Sequence, residues 1–208
     1  HHLIMQLPLL FFRPQTVVEL GLGGGNLARY VVQLNGDISF SSIECNSQVI
    51  DAFKEYFNPE NIDINIINNR SENWLIHPQA QVDWLVCDIY QHDSHYQSVH
   101  QTAVQLGKLI GVLDEDSCLS INLPDASTTE VNLCLKVLQD LLELTKTHQV
   151  VYFHVPNYLN IIIHVIPLKW NIRARLKNNN FSYLPKKHFS RYQKHWQYAM
   201  ASSQPLDF

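Results

Sequence analysis

The stretch VVELGLGGG at residues 17–25 decides the fold of this chain. Its β-branched, apolar start predicts a strand over residues 16–20, and the amphipathic residues 26–34 after the glycines predict a helix. A glycine cluster between a strand and a helix is the context in which such a motif binds a ligand, because glycines permit positive φ and close approach to the backbone. The sequence therefore predicts a strand–turn–helix unit whose turn is open to a small molecule.

Four residues of this unit are candidates to bind the ligand: Glu19, Gly21, Gly23 and Gly25. A glutamate just ahead of the glycines is typical of turns that bind a nucleoside without a pyrophosphate. Glu44, at the end of the next predicted strand, lies 23 residues after Gly21. A carboxylate there can accept two hydrogen bonds from the vicinal hydroxyls of a ribose, whereas a solvated strand-end glutamate is the simpler interpretation of Glu44 alone. Together the two signals predict an adenosine site without a phosphate.

The rest of the chain continues the alternation of strands and helices. Further strands are predicted at residues 37–43, 62–67, 83–87 and 117–123, and further helices at 47–57, 96–110 and 128–145. The apolar runs 149–155 and 159–166 are separated by a loop too short for a crossover helix, which predicts an antiparallel hairpin. We therefore expect an α/β, Rossmann-like, doubly wound fold with a seven-stranded, mostly parallel sheet that ends in a C-terminal antiparallel hairpin. That is the arrangement of class I S-adenosylmethionine-dependent transferases.

Length and charge predict the domain organisation. The chain has 208 residues, of which 46% are hydrophobic and 16% charged, enough apolar content for one full core and too much for a disordered chain. Residues 1–166 carry 7 Lys/Arg and 18 Asp/Glu, whereas residues 167–208 carry 8 Lys/Arg and one acid. We predict a transferase domain at 1–166 and a basic, aromatic tail at 167–208 that is helical and packed on the domain.

Partners and compartment follow from charge and cysteine usage. An acidic domain favours a small cationic partner over nucleic acid, although the basic, aromatic tail leaves two alternatives, a surface for single-stranded nucleic acid and a flap over an acidic pocket. The four cysteines show neither paired nor metal-like spacing, which indicates reduced thiols. No apolar run approaches the roughly 18 residues of a membrane span, and the first residues lack the pattern of a signal peptide. We therefore expect a cytoplasmic protein without a membrane segment.

Asp88 follows the fourth predicted strand, at the edge where doubly wound sheets bind ligands. A carboxylate there can hold a cationic amine or accept its proton during attack on an activated carbon, and capping of the next turn is the alternative. His92, His95 and His100 lie close by in the sequence. Because no second cluster completes the four ligands of a zinc site, no metal is predicted.

Residues 4 to about 178 resemble the spermidine synthase (polyamine aminopropyltransferase) family, and especially its short, spermidine-synthase-like bacterial branch. The resemblance rests on the ordered segments LLFFRPQT at 9–16, ELGLGGGNL at 19–27, IECNSQVI at 43–50, FKEYF at 53–57 and DIY at 88–90. We interpret the chain as a short member of that family, within the class I S-adenosylmethionine-dependent methyltransferase superfamily, that lacks the small N-terminal β-domain of full-length synthases.

The resemblance implies decarboxylated S-adenosylmethionine as aminopropyl donor, a diamine such as putrescine as acceptor and 5′-methylthioadenosine as by-product. It implies that the glycine turn and Glu44 hold the adenosine, that Asn26 lies near the amino group of the donor, and that Asn69 is the candidate on the adenine side. It makes Asp88 the group that orients and deprotonates the attacking amine, with Tyr90 as a second catalytic candidate. It also allows a homodimer.

The chain departs from the family pattern at three places. Asn26 and Gln91 stand where the family has Asp, and residues 68–72 offer amides, a cation and a displaced Glu where it has an adenine-contacting Asp. Three functions therefore stay open: aminopropyl transfer to a di- or polyamine, methyl transfer from S-adenosylmethionine, and a non-catalytic nucleoside-binding or partner protein of the same fold. The Asp88 segment favours the first of these, whereas Asn26 and Gln91 favour the other two.

Overall fold

The computed structural model describes residues 2–35, 37–78, 81–89, 99–155 and 157–202. Within them, seven strands form one sheet in the order β3-β2-β1-β4-β5-β7-β6. The strands are β1 Thr16–Leu20, β2 Ser39–Glu44, β3 Asn65–Asn68, β4 Trp84–Cys87, β5 Cys118–Leu123, β6 His148–His154 and β7 Ile161–Pro167. Strands β1 to β5 pair in parallel, and β7 runs antiparallel to both β5 and β6. The predicted fold, including the C-terminal hairpin, is confirmed.

Eight α-helices are found in the described residues: α1 His2–Met5, α2 Asn26–Asn35, α3 Ser47–Ala52, α4 Ser71–Ile76, α5 Val99–Ile110, α6 Thr128–Thr145, α7 Ile172–Arg175 and α8 Lys186–Ser202. None of these helices is long and apolar enough to cross a membrane. The predicted helix 47–57 divides into α3 and a π-helical turn, Phe53–Phe57, and the short helix α4 was not predicted. Helix α6 begins at a capping box in which Ser127 and Glu130 satisfy each other's backbone N–H groups, as the S-x-x-E pattern favours.

Apolar residues cover the two faces of the sheet. One face packs against α4, α5 and α6, and the other against residues 4–12, α2 and α8. On the second face Phe189, Tyr192 and Trp196 of α8 are buried, and the Trp196 ring contacts Phe11 at 4.7 Å and Phe153 at 5.1 Å between centroids. Because these aromatic side chains cover the sheet, they are not available to stack on nucleic-acid bases.

A buried polar chain crosses the same face. The Trp84 indole N–H donates to Ser120 Oγ at 2.9 Å, Ser120 Oγ lies 2.8 Å from His164 Nδ1, and His164 Nε2 lies 3.1 Å from the Ile4 carbonyl oxygen. A carbonyl only accepts, so Nε2 carries the ring proton and Nδ1 accepts the Ser120 hydroxyl. Burial lowers the pKa of His164 from its ordinary 6.5 to about 3, since the site stabilises the neutral ring.

This neutral histidine predicts a pH dependence of stability. Between pH 6.5 and about 3 the unfolded chain binds a proton at His164 that the folded chain does not bind. The contribution of His164 to stability is therefore complete above pH 6.5 and is lost as the pH falls, by up to about 1.4 kcal/mol per pH unit. The measurement is urea unfolding of the native protein and His164→Gln at pH 7, 6 and 5. The free-energy difference between the two proteins should shrink as the pH falls, and a constant difference would contradict the neutral assignment.

Candidate functional site

The carboxyl ends of four adjacent strands form the candidate site. Strand β1 lies between β2 and β4, and β5 follows β4. The glycine turn follows β1, Glu44 ends β2, Asp88 follows β4, and Asn122 lies near the end of β5. Because parallel strands end at one edge of the sheet, these residues meet there, where the helices leave in opposite directions and doubly wound folds bind their ligands.

The glycine turn is fixed from two sides. Gly21 has φ +94°, its N–H donates to the Ile43 carbonyl at 2.8 Å, and a Cβ on it would lie 2.4 Å from the Asp88 carbonyl oxygen. Gly25 has φ +61°, and a Cβ there would lie 2.2 Å from the Phe53 ring. Gly23 also has positive φ, +49°, but a Cβ on it would meet no atom of the described residues within 4 Å. Two glycines therefore permit close packing, and the third leaves the outer surface of the turn open.

Glu44 is tied to this turn through its carboxylate. Its Oε2 accepts the Leu22 backbone N–H at 3.1 Å, and its Oε1 accepts the Asn46 backbone N–H at 2.8 Å. The side chain is half-buried at the end of β2. Each carboxylate oxygen has more than one acceptor position, so the fixed group can also accept hydroxyl hydrogens from a ribose.

Glu19 lies inside the sheet rather than on the open surface of the turn. It is 3% exposed, and its Oε2 accepts the Ser42 hydroxyl of β2 at 2.9 Å. Burial raises the pKa of Glu19 well above its ordinary value, and the negative charges of Asp88 and Glu44 add to this rise. The structure thus places Glu19 as a support beneath the turn.

Asp88 is oriented by a pair of amides that the sequence did not reveal. Asn122 Nδ2 donates to Asp88 Oδ1 at 2.7 Å, and Asn160 Nδ2 donates to Asn122 Oδ1 at 3.0 Å. Asn122 is 7% exposed, whereas Asp88 is half-buried. The relay holds the Asp88 carboxylate in one orientation, and no hydrogen bond from a described residue reaches its second oxygen, which can bind a ligand. In the sequence, the one feature that indicated a role for Asn122 in the site was its position near the end of the strand next to β4.

The remaining predicted residues take different places. The Asn69 N–H donates to the Glu44 carbonyl at 3.1 Å, and Asn69 Oδ1 accepts the Arg70 N–H at 2.8 Å. Asn69 therefore lies beside Glu44 on the β3 side of the site. Asn26 Oδ1 accepts a hydrogen bond from Arg29 Nη2 at 2.7 Å, directly after the glycine turn.

Some candidates cannot be placed. Tyr90, Gln91, His92 and His95 lie outside the described residues, and the side chain of His100 is not described. In the part of the chain that the structure describes, no group of three or more His, Cys, Asp or Glu side chains is arranged to hold a metal ion. Glu44 and Asp88 lie close enough to Glu19 that their negative charges add to the rise of its pKa, and these two carboxylates make this edge attractive to a cation.

The solved structures that this chain resembles include two groups, methyltransferases and spermidine synthases. No curated protein matches the chain by sequence. Human methyltransferase-like protein 13, solved with SAH (S-adenosylhomocysteine), aligns over 100% of this chain and 95% of its own, with a TM-score of 0.65 and 15% identity. A spermidine synthase in complex with the transition-state analogue AdoDATO aligns over 97% of this chain and 75% of its own, with a TM-score of 0.63 and 12% identity.

A third structure, spermidine synthase from Thermotoga maritima, aligns over 98% of this chain and 76% of its own, with a TM-score of 0.60 and 13% identity. At such low identity these structures show a shared fold, that of Rossmann-like methyltransferases and spermidine synthases. The family model described as the spermine/spermidine synthase domain matches residues 1–178. The chain therefore belongs to the spermine/spermidine synthase domain family.

Proposed function

We propose that this chain is a transferase that moves an alkyl group from an adenosyl-sulfonium donor to the amine of a di- or polyamine. One observation carries the proposal: the Asp88 carboxylate is oriented by Asn122 immediately beside the glycine turn, whose Gly21 packs against the Asp88 backbone. A donor held over that turn and an amine held by Asp88 would be neighbours.

The residues of the turn fit such a donor. Gly23 leaves the outer surface of the turn clear, and Glu44 offers fixed carboxylate oxygens to ribose hydroxyls. The carboxylates of Glu44 and Asp88 suit a positively charged sulfonium and a positively charged amine, with no metal in the proposed chemistry.

The chemistry needs little beyond placement and one proton acceptor. The donor supplies a carbon activated by positive sulfur, so that a C–N bond forms while the C–S bonding pair returns to sulfur. Asp88 holds the incoming ammonium, orients its nitrogen and takes the proton that the nitrogen must lose. Asn122 and Asn160 keep the carboxylate in place while the amine approaches.

Two alkyl groups are compatible with this chemistry. The aminopropyl group of decarboxylated S-adenosylmethionine is supported by the family match over residues 1–178 and by the spermidine synthase that holds AdoDATO. A methyl group from S-adenosylmethionine is the second candidate. The Asn26–Arg29 pair beside the turn and the neighbour solved with SAH are compatible with methyl transfer.

Donor binding is the first half of the test. Methylthioadenosine and SAH should each raise the melting temperature of the native protein in proportion to the logarithm of ligand over Kd. In native Glu44 each carboxylate oxygen accepts a hydrogen bond from a backbone N–H group. In Glu44→Gln one of these oxygens is replaced by an NH2 group, which cannot accept that hydrogen bond, and the ribose hydroxyls lose a charged acceptor. We expect affinity to fall by about tenfold or more. Glu143→Gln, at an exposed position of α6, is the matched control and should bind as the native protein does.

Amine alkylation is the second half. The native protein is incubated with each donor and with putrescine, spermidine or cadaverine, and the amines are analysed by mass spectrometry. An aminopropylated or methylated amine is the expected product. Donor binding without an alkylated amine would contradict the proposal and leave the non-catalytic nucleoside-binding role.

A further inference from the structure

Arg29 lies at the start of α2, beside the open part of the glycine turn. Its Nη2 donates to Asn26 Oδ1 at 2.7 Å, and Asn26 Nδ2 lies 3.9 Å from the place that a Cβ on Gly24 would take. The Asn26 amide therefore lies beside Gly24, and its oxygen holds the Arg29 guanidinium at the same end of the turn. The Arg29 side chain is half-buried, and its Nε is buried without an acceptor among the described residues.

Among the described residues, no acidic side chain neutralises the charge of this guanidinium. Arg29 forms no ion pair within the part of the chain that the structure describes, and the partner that orients it is a neutral amide. A guanidinium presents several N–H donors in a plane and matches a carboxylate with two parallel hydrogen bonds. It repels an ammonium group at the same place.

Two sides of the site already have a proposed ligand. Glu44 lies on the β2 side of the turn, where the adenosine is proposed to bind, and Asp88 lies on the β4 side, where the amine is proposed to bind. At Gly23 a Cβ would meet no described atom within 4 Å, and Asn26 is exposed, so these two positions mark the remaining open direction over the turn. A substituent on the sulfur that avoids both other groups lies along this direction, towards Arg29.

We propose that Arg29, oriented by Asn26, selects a donor whose tail ends in a carboxylate, so that S-adenosylmethionine is bound in preference to its decarboxylated form. This inference rests on the proposed function, because it takes an adenosyl-sulfonium donor to bind over the turn. It narrows the proposed reaction to methylation of the amine. The carbon–sulfur bond that breaks is then the S–methyl bond, and SAH is the product that keeps the carboxylate.

The test uses two ligands that differ only in the carboxylate, SAH and decarboxylated SAH (the S-adenosyl thioether of propylamine). Isothermal titration calorimetry gives both dissociation constants and hence their ratio. The native protein should bind SAH about tenfold or more tightly than the decarboxylated ligand. Arg29→Gln should bring the ratio close to one, chiefly by weakening SAH. Arg173→Gln, at an exposed position of α7, is the matched control and should keep the native ratio.

A second variant keeps the inference testable if Arg29→Gln does not fold. Asn26→Asp places a carboxylate on the guanidinium, so the preference for SAH should fall several-fold while the decarboxylated ligand binds more tightly. A native ratio near or below one, or a ratio unchanged in both variants, overturns the inference.

Methylthioadenosine, which has no tail, separates this failure from that of the proposed function. If methylthioadenosine binds and the ratio is near one, the donor site stands and the role of Arg29 is wrong. If none of the three ligands binds, the proposed donor site is wrong as well.

Discussion

Replacing Asp88 with Asn is expected to lower the rate of amine alkylation by about two to four orders of magnitude, with donor affinity changed less than threefold. The amide keeps the shape of the side chain, and its oxygen can still accept the hydrogen bond from Asn122. It cannot take a proton or attract an ammonium group as an anion does. The substitution therefore removes the two properties that the reaction needs and leaves the glycine turn intact.

The measurement combines product formation by mass spectrometry with the Kd of SAH by calorimetry. Asp140→Asn, at an exposed position of α6, is the matched control and should leave both values unchanged. An Asp88→Asn protein with native turnover would remove Asp88 from the chemistry. If turnover and donor affinity fell together, Asp88 would act in shaping the turn rather than in catalysis.

The parts of this site that the sequence predicted depend on local patterns. The strand, glycine turn and helix around Gly21 follow from β-branched residues, glycines and an amphipathic stretch within twenty residues. Glu44 and Asp88 could be placed because each directly follows a predicted strand, and parallel strands end at the same edge of the sheet. Position at a strand end, rather than any contact, therefore identified both carboxylates.

The parts that were missed depend on contacts between distant segments. Asn122 lies 34 residues from Asp88 and Asn160 lies 38 residues from Asn122, so their relay exists only once β4, β5 and the hairpin have assembled. The same holds for His164, whose partner Ile4 is 160 residues away. Glu19 was predicted to bind the ligand. Side chains alternate between the two faces of β1, and that of Glu19 points towards Ser42 and the interior. The spacing of residues along the chain predicts at which edge of the sheet a residue lies, but not which side chain or backbone group it contacts there.

Gly21→Ala is expected to cost about 2–5 kcal/mol of unfolding free energy, because it combines two penalties. An L-residue at positive φ costs about 1–2 kcal/mol, and forcing extra atoms into a packed place costs about 1–3 kcal/mol more. The obstructing atom is the Asp88 carbonyl oxygen, which is backbone and cannot rotate away. The Asp88 N–H is itself bonded to the Leu20 carbonyl at 3.0 Å, and the Gly21 N–H to the Ile43 carbonyl at 2.8 Å.

Gly23→Ala separates the two penalties, because this glycine has φ +49° and open space where its Cβ would lie. Only the cost of positive φ applies there, so Gly23→Ala should lower the unfolding free energy by about 1–2 kcal/mol. Urea unfolding of the two variants side by side measures both losses. Equal losses of unfolding free energy in the two variants would mean that Asp88, directly after β4, yields to the added methyl group. Because the atom that yields would belong to Asp88, the Gly21→Ala protein should then retain donor binding but lose alkylation. The tight contact between turn and strand therefore links the stability of the sheet edge to the placement of the proposed catalytic carboxylate.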